Sequence, residues 1–257
     1  CTGGEPWTEK PWKWLFQVIG KSKIPIMNSA GGTEVSGSIL HCCLHRPFKV
    51  GSFNAPIPGM SADILNLDGK KVSTNEMGEL VMRKSSIGLT KSLWNDDKRY
   101  IDNYWSVIKD YWVHGDLASR DADGHWYLHG RSDDTIKVSG KRIGPSELES
   151  VIVKSGKAKE VAAVGIPDEN KGSKIILSIV PAENNDQKES FFEDLVIKDL
   201  GKSFKPDKVI FVKDLPKTRN MKIMRRVIKS CLANQDPGDL STLLNPESVE
   251  EIRSHAI

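Results

Sequence analysis

The sequence predicts a chain of mixed class, α/β and α+β: a β-rich first part, then a small domain in which strands and helices interleave. Two observations predict this. Up to Ser132 the apolar runs are short and are cut by Gly, Pro and Asn/Asp turn signals, which is the texture of hairpin-connected strands. From Asp133 onward apolar runs of strand length alternate with segments of helical length, the texture of a small α+β unit. Domains at 1–132 and 133–257 follow, and at 38% hydrophobic and 28% charged each can bury a core of its own.

In Pro11 to Gly20, Trp12, Leu15, Phe16 and Ile19 fall at helical spacing, which predicts a short core-facing helix ending at Gly20. Strands are expected at Ile24 to Met27, Ser38 to Leu44, Ser61 to Leu67 and Glu79 to Arg83. Asp96 to Trp105 is charged and aromatic and reads as a helix. Tyr111 to Val113 and His125 to Leu128 read as a hairpin around the turn Asp121-Ala122-Asp123-Gly124. A strand at Thr135 to Val138 is followed by a helix at Pro145 to Lys154. Pro145 suits its first turn, and Glu147 and Glu149 place acid near its positive end. Glu160 to Ile166, Lys174 to Val180 and Lys208 to Val212 read as strands and Ser190 to Leu200 as a helix.

The net charge of +3 is a small surplus of 37 basic over 34 acidic residues, and only Lys217 to Arg226 is locally basic. That balance calls for neither nucleic acid nor membrane and leaves anionic small molecules as partners. No apolar run approaches the roughly 20 residues that span a bilayer. Cys1, Cys42, Cys43 and Cys231 form no C-x-x-C pair and no spaced framework, and adjacent Cys42 and Cys43 read as strand residues facing opposite ways. A reducing compartment, the cytoplasm, is the expected location. The chain starts at Cys1 and enters a glycine turn at once, from which it is expected to be the later portion of a longer protein.

Four segments carry the chemistry. The first is Gly4-Glu5-Pro6 with Gly31-Gly32-Thr33-Glu34. The second is Tyr111-x-x-x-Gly115-Asp116, followed by Asp121-x-Asp123-Gly124 and Gly130-Arg131. The third is the run from Gly130 to Gly144, GRSDDTIKVSGKRIG. The fourth is Leu215 to Arg226, LPKTRNMKIMRR. Gly-Gly-Thr-Glu alone is an ordinary strand-to-loop turn and Asp116 alone an ordinary cap, but the order and spacing of all four are specific.

Together they resemble the adenylate-forming superfamily, and within it the acetyl-CoA synthetase-like acid–CoA ligases. The resemblance implies the later part of a large AMP-binding domain, then a small mobile C-terminal domain. It implies ATP, Mg²⁺ and CoA as co-substrates and cofactor, and a short-chain carboxylate as substrate. In its terms Gly4, Glu5 and Pro6 lie against adenine, Gly32 and Thr33 meet the phosphate, and Glu34 helps hold Mg²⁺. Asp116 accepts from the ribose hydroxyls with Arg131 beside it. Asp133 is the hinge, Ser139 and Gly140 border the path of pantetheine, and Arg142 reaches a nucleotide phosphate.

Lys222 takes the place of the lysine that bridges the substrate carboxylate and the α-phosphate, a role suited to a mobile point charge. The departure from the pattern is Asn220-Met221 where Ser-Gly is usual, so the freedom of a glycine at positive φ is expected to be lost there. Gly31 stands where acetate-restricted relatives carry a pocket-closing tryptophan, which implies a wider acyl pocket. The family's phosphate-cradling Ser/Thr/Gly-rich loop is absent from these residues. An incomplete fragment of such a ligase, not fully active alone, is therefore expected; the alternatives are a non-catalytic module, a half completed by a separately encoded N-terminal half, and an adenylation domain loading a carrier protein.

Overall fold

The computed structural model describes residues 1–4, 7, 9–183, 186 and 188–257. The chain divides into two compact units, Cys1–Asp133 and Asp134–Ile257.

The first unit opens with α1 (Glu9–Trp14), which runs on as a π-helical turn, Leu15–Ile19. Of these residues only Trp12 is buried, and Ile19 is 58% exposed. The core-facing helix expected here is thus corrected. The wider π turn changes the angular step per residue, so the later apolar positions leave the face that Trp12 buries. Ile24 to Met27 is not a strand either. Pro25 has no N–H to give a ladder, and pairing begins only where Asn28 bridges Thr2.

Three short strands, β1 (Ala30–Gly32), β2 (Gly37–His41) and β3 (Ala55–Pro56), form an antiparallel sheet in that order. Cys42 and Cys43 lie just beyond β2 rather than in a strand, with Cys42 buried and Cys43 half-buried. A four-stranded antiparallel meander follows: β4 (Ala62–Leu65), β5 (Gly78–Met82), and then, after helix α2 (Asp97–Tyr104), β6 (Trp112–Arg120) and β7 (Trp126–Arg131). All five residues of β5 are buried, as fits its place between β4 and β6. Asp96 caps α2 by accepting from Arg99 N at 3.2 Å. The β6–β7 turn is shaped by Asp121, whose Oδ1 accepts from the backbone of Asp123 (3.0 Å) and His125 (2.9 Å). The core gathers Val35, Ile39, Leu40, Phe53, Leu80 and Trp112.

The second unit begins with the hairpin β8 (Ile136–Val138) and β9 (Lys141–Ile143), then α3 (Pro145–Lys154). Glu147 Oε1 accepts from Gly144 N at 3.0 Å, so the acid in the first turn works as a cap. Next come β10 (Ala158–Asp168), β11 (Gly172–Pro181), α4 (Glu189–Leu200), β12 (Lys208–Phe211), α5 (Arg225–Leu232) and α6 (Glu247–Arg253). β11 pairs β10 antiparallel and β12 parallel, α4 providing the crossover that a parallel pair needs. Leu148, Ile152, Phe192 and Val196 of α3 and α4 pack with Ile175, Leu177 and Ile179, and Val227, Ile228 and Ile252 of α5 and α6 pack with Ile176 and Val164. The sheet is therefore buried on both faces, which is why β11 reads as a continuous apolar run instead of alternating.

Candidate functional site

In the first unit the Thr33–Glu34 pair sits on a 3₁₀ turn, Thr33–Val35, at the end of β1. The turn is tied down from α2: Glu34 O accepts from Thr90 N at 2.7 Å, and Thr90 O accepts from Tyr100 Oη at 2.6 Å. One helical turn on, Tyr104 faces the Glu34 carboxylate. Burial first, then the Glu34 charge and a hydrogen bond to it, push the Tyr104 phenol up to about 12. The phenol thus stays protonated, able to donate to a carboxylate at neutral pH. Tyr104 stacks on Trp112 with ring centroids 5.2 Å apart, and Trp112 lies 5.5 Å from the His114 ring.

β6 and β7 bring Asp116 and Arg131 opposite each other as Cα partners. Arg131 Nη1 lies 3.6 Å from Asp116 Oδ1 and donates to His114 O at 2.9 Å, while Arg131 Nε donates to Asp133 Oδ1 at 3.0 Å. On the other side His114 Nε2 is 3.3 Å from Asp116 Oδ2. Burial outweighs the Asp116 charge and lowers the His114 pKa, so this imidazole is neutral at physiological pH. Gly115, at φ 82°, makes room for the guanidinium: a Cβ there would stand 2.5 Å from Arg131 Nη2. The result is a partly exposed carboxylate steadied from two sides, with acceptor capacity left for a pair of hydroxyls.

Gly32 also touches this cluster, since a Cβ on it would meet Glu34 Oε2 at 3.0 Å and His114 Cε1 at 3.2 Å. Gly31 is different. A Cβ there would stand 2.0 Å from Gly37 O and 2.5 Å from Ser38 Cα, because the β1–β2 hairpin closes directly over it. On that side of Gly31 the space next to the backbone is filled by β2. Gly31→Ala is expected to destabilise the first unit by about 1–3 kcal/mol, seen as a lower urea midpoint. Gly4 is exposed at φ 108°, and Glu5 and Pro6 lie outside the described residues.

Beside β7 is a cleft of about 190 Å³ lined by Gly3, Trp7, Asn28, Phe53, Leu128 and His129 among others. Its floor is fixed by Thr2 Oγ1 donating to Asn28 Oδ1 (2.9 Å) and by Asn28 Nδ2 donating to Ser52 O (2.9 Å). Sequence reasoning missed this cleft and Tyr104. Tyr104 lies seventy residues from Glu34 and belongs to none of the four segments.

In the second unit Ser139 and Gly140 form the two-residue turn of the β8–β9 hairpin, both at positive φ (49° and 81°), the geometry of a type I′ turn. The backbone conformation thus accounts for Gly140, and a Cβ on it would meet nothing within 4 Å. Ser139 N donates to Lys171 O at 2.8 Å. Arg142 is exposed on β9. Lys222 is exposed at the end of a tight loop in which Lys217 pairs with Ile223, Thr218 N donates to Lys222 O (2.9 Å) and Met221 N donates to Thr218 O (2.8 Å).

Met221 sits in this loop at φ 64°. Positive φ is therefore not given up where glycine is usual: Met221 adopts it, against the steric preference of an L residue. Met221→Gly is expected to stabilise the chain by about 1 kcal/mol, read as a higher denaturation midpoint. The side chain is 60% exposed, so little packing is lost.

Among the described residues no group of three or more His, Cys, Asp or Glu side chains is arranged to hold a metal ion, and no helix is long and apolar enough to cross a membrane. Residues 1–94 match the AMP-binding enzyme family and residues 147–222 the AMP-binding enzyme C-terminal domain. Similar curated proteins include the acetyl-coenzyme A synthetase of Methanothrix soehngenii, 37% identical over 259 residues, with 97% of this chain and 38% of that protein covered. The acetyl-coenzyme A synthetase of Helicobacter pylori strain P12 is 38% identical over 267 residues, covering 98% of this chain and 40% of that protein.

Among solved structures, acetoacetyl-CoA synthetase from Streptomyces lividans superposes with a TM-score of 0.84 at 22% identity, over 98% of this chain and 40% of that one. ATP-bound MatB from Rhodopseudomonas palustris gives 0.77 at 21% identity, over 88% and 44%. At these identities the structures speak for the fold, that of acyl-CoA synthetases, and the mixed α/β and α+β class is as expected. The chain spans about two-fifths of the length of the curated relatives it matches. It belongs to the adenylate-forming superfamily, the AMP-binding enzymes.

Proposed function

We propose that the protein is an AMP-forming acid–CoA ligase, which joins a short-chain carboxylate such as acetate to CoA through an acyl-adenylate. The observation that carries this reading is the Asp116 carboxylate held between His114 and Arg131, in a chain of this family. In the first half-reaction a carboxylate oxygen attacks the α-phosphorus of ATP and the bond to pyrophosphate breaks. In the second the CoA thiolate attacks the acyl carbonyl and AMP leaves.

Asp116 takes the two ribose hydroxyls and Arg131 steadies it. The base lies toward the cleft beside β7, which Gly3 lines, and the family resemblance assigns Gly4, Glu5 and Pro6 to it as well. Gly32 lets phosphate approach the backbone, and the Thr33 hydroxyl donates to it. Glu34 would hold Mg²⁺. A single hard carboxylate ligand suits an ion that takes one or two carboxylates and completes its shell from phosphate and water. When bound, Mg²⁺ offsets phosphate charge. Tyr104, protonated against Glu34, fixes that carboxylate's direction.

Arg142 and Lys222 supply cationic charge to the adenylation step. Turning about Asp133 then exchanges Lys222 for the Ser139–Gly140 turn, past which pantetheine runs. The test is to supply the full-length protein that carries these residues with acetate, ATP, Mg²⁺ and CoA. Acid-dependent release of AMP in step with acyl-CoA is the expected result, whereas ADP and phosphate as products would overturn it.

A further inference from the structure

The loop carrying Lys222 is held on both of its edges. On one side it pairs with its own return strand, Lys217 with Ile223. On the other a third segment, residues 242–245, lies antiparallel: Thr218 bridges Leu243, Arg219 N donates to Thr242 O at 3.2 Å, and Leu244 N donates to Lys217 O at 2.8 Å.

Asn245 closes this ladder with its side chain. Its Oδ1 accepts from Lys217 N at 3.0 Å, and its Nδ2 donates to Asp214 Oδ2 at 2.7 Å and to Leu215 O at 2.8 Å. The residue is 7% exposed, so these bonds form away from water, where an unmet polar group is costly. The first lysine of the motif is part of the same anchor. Lys217 is buried, and its Nζ lies 2.5 Å from Asp214 and 2.7 Å from Glu160 on β10. The two lysines of one motif thus have opposite surroundings, Lys217 locked into the unit and Lys222 displayed from it.

A two-stranded hairpin this short is marginal in water, and Met221 at positive φ works against it. The third segment gives the loop a second hydrogen-bonded edge. We propose that Asn245, with residues 242–245, positions Lys222 for adenylation without touching substrate. The proposal deepens the ligase reading and rests on it.

The test compares Asn245→Ala with Ser248→Ala in the full-length protein. Ser248, three residues on in α6, is buried too, and its hydroxyl donates to Asn245 O at 2.7 Å, but among the described residues it makes no hydrogen bond to the Lys222 loop. Two readouts are taken: acid-dependent pyrophosphate exchange, which needs Lys222, and thioester formation from supplied acyl-adenylate, which does not. The expected result for Asn245→Ala is a loss of about tenfold to a hundredfold in exchange, thioester formation kept, and faster amide hydrogen exchange at residues 217–223. Ser248→Ala should lower stability without separating the two half-reactions.

An equal fall in both half-reactions for Asn245→Ala, or no fall in either, overturns the proposal. Should Asn245→Ala fail to fold, Leu244→Pro serves instead, because it deletes the donor to Lys217 O under a side chain that is 53% exposed. If the unaltered protein catalyses neither half-reaction, the ligase reading fails. Amide exchange at 217–223 then still decides whether Asn245 holds the loop.

Discussion

On the proposed ligase reading, replacing Lys222 with alanine is expected to lower acid-dependent adenylation by about 10²–10³-fold and to leave thioester formation from supplied acyl-adenylate nearly unchanged. The direction follows from charge. Attack of a carboxylate on an already anionic α-phosphate brings two negative groups together, and a cation placed at that point is worth more in the transition state than in the bound ground state. The Lys222 side chain is exposed on a loop whose backbone is hydrogen-bonded, which suits a charge delivered for one step and then withdrawn. Folding should not suffer, because among the described residues Lys222 bonds through its backbone, its O accepting from Thr218 N and its N donating to Thr218 Oγ1. The measurement is pyrophosphate exchange and single-turnover thioester formation on the same preparation. Equal loss in both would show that Lys222 acts through overall structure rather than through adenylation.

What the sequence revealed about the site depended on how local each signal was. Asp116 and Arg131 were legible because β6 and β7 are consecutive strands joined by a tight turn, so motif order and spatial pairing coincide. Tyr104 was not, since its tie to Glu34 runs through an α2 packing that no spacing encodes. The third segment backing Lys222 was missed for a related reason: Asn245 looks like a loop residue before Pro246, and its value lies in three bonds to residues 214–217.

At Gly31 a glycine marks where, in a closely packed hairpin, backbone already stands next to the chain. Elements bounded by strong local chemistry, such as α3 with Pro145 and the Glu147 cap, were placed to the residue. β1, made of Ala30, Gly31 and Gly32, has no β-propensity to announce it and exists because β2 pairs with it.

Arg225→Met is expected to destabilise the second unit by about 3–5 kcal/mol, a large share of what holds a domain of this size together. Arg225 makes a two-pronged contact with Glu149, Nε to Oε1 at 2.9 Å and Nη2 to Oε2 at 2.8 Å, with both side chains largely buried. The pair joins the start of α5 to α3 across the edge of β10, where Glu149 Oε1 also accepts from Ala163 N at 2.9 Å. Removing the guanidinium leaves a carboxylate in a low-dielectric setting with much less to balance it, and that penalty exceeds the lost attraction itself. Replacing both residues with methionine should recover much of the loss by restoring an apolar contact of similar volume. Recovery stays incomplete, because the Ala163 N–H then loses its acceptor at a cost of about 1–3 kcal/mol. Urea unfolding of the two single variants and the double variant measures this directly. Losses that simply add in the double variant would mean that the two side chains act independently and do not form the pair that joins α3 to α5.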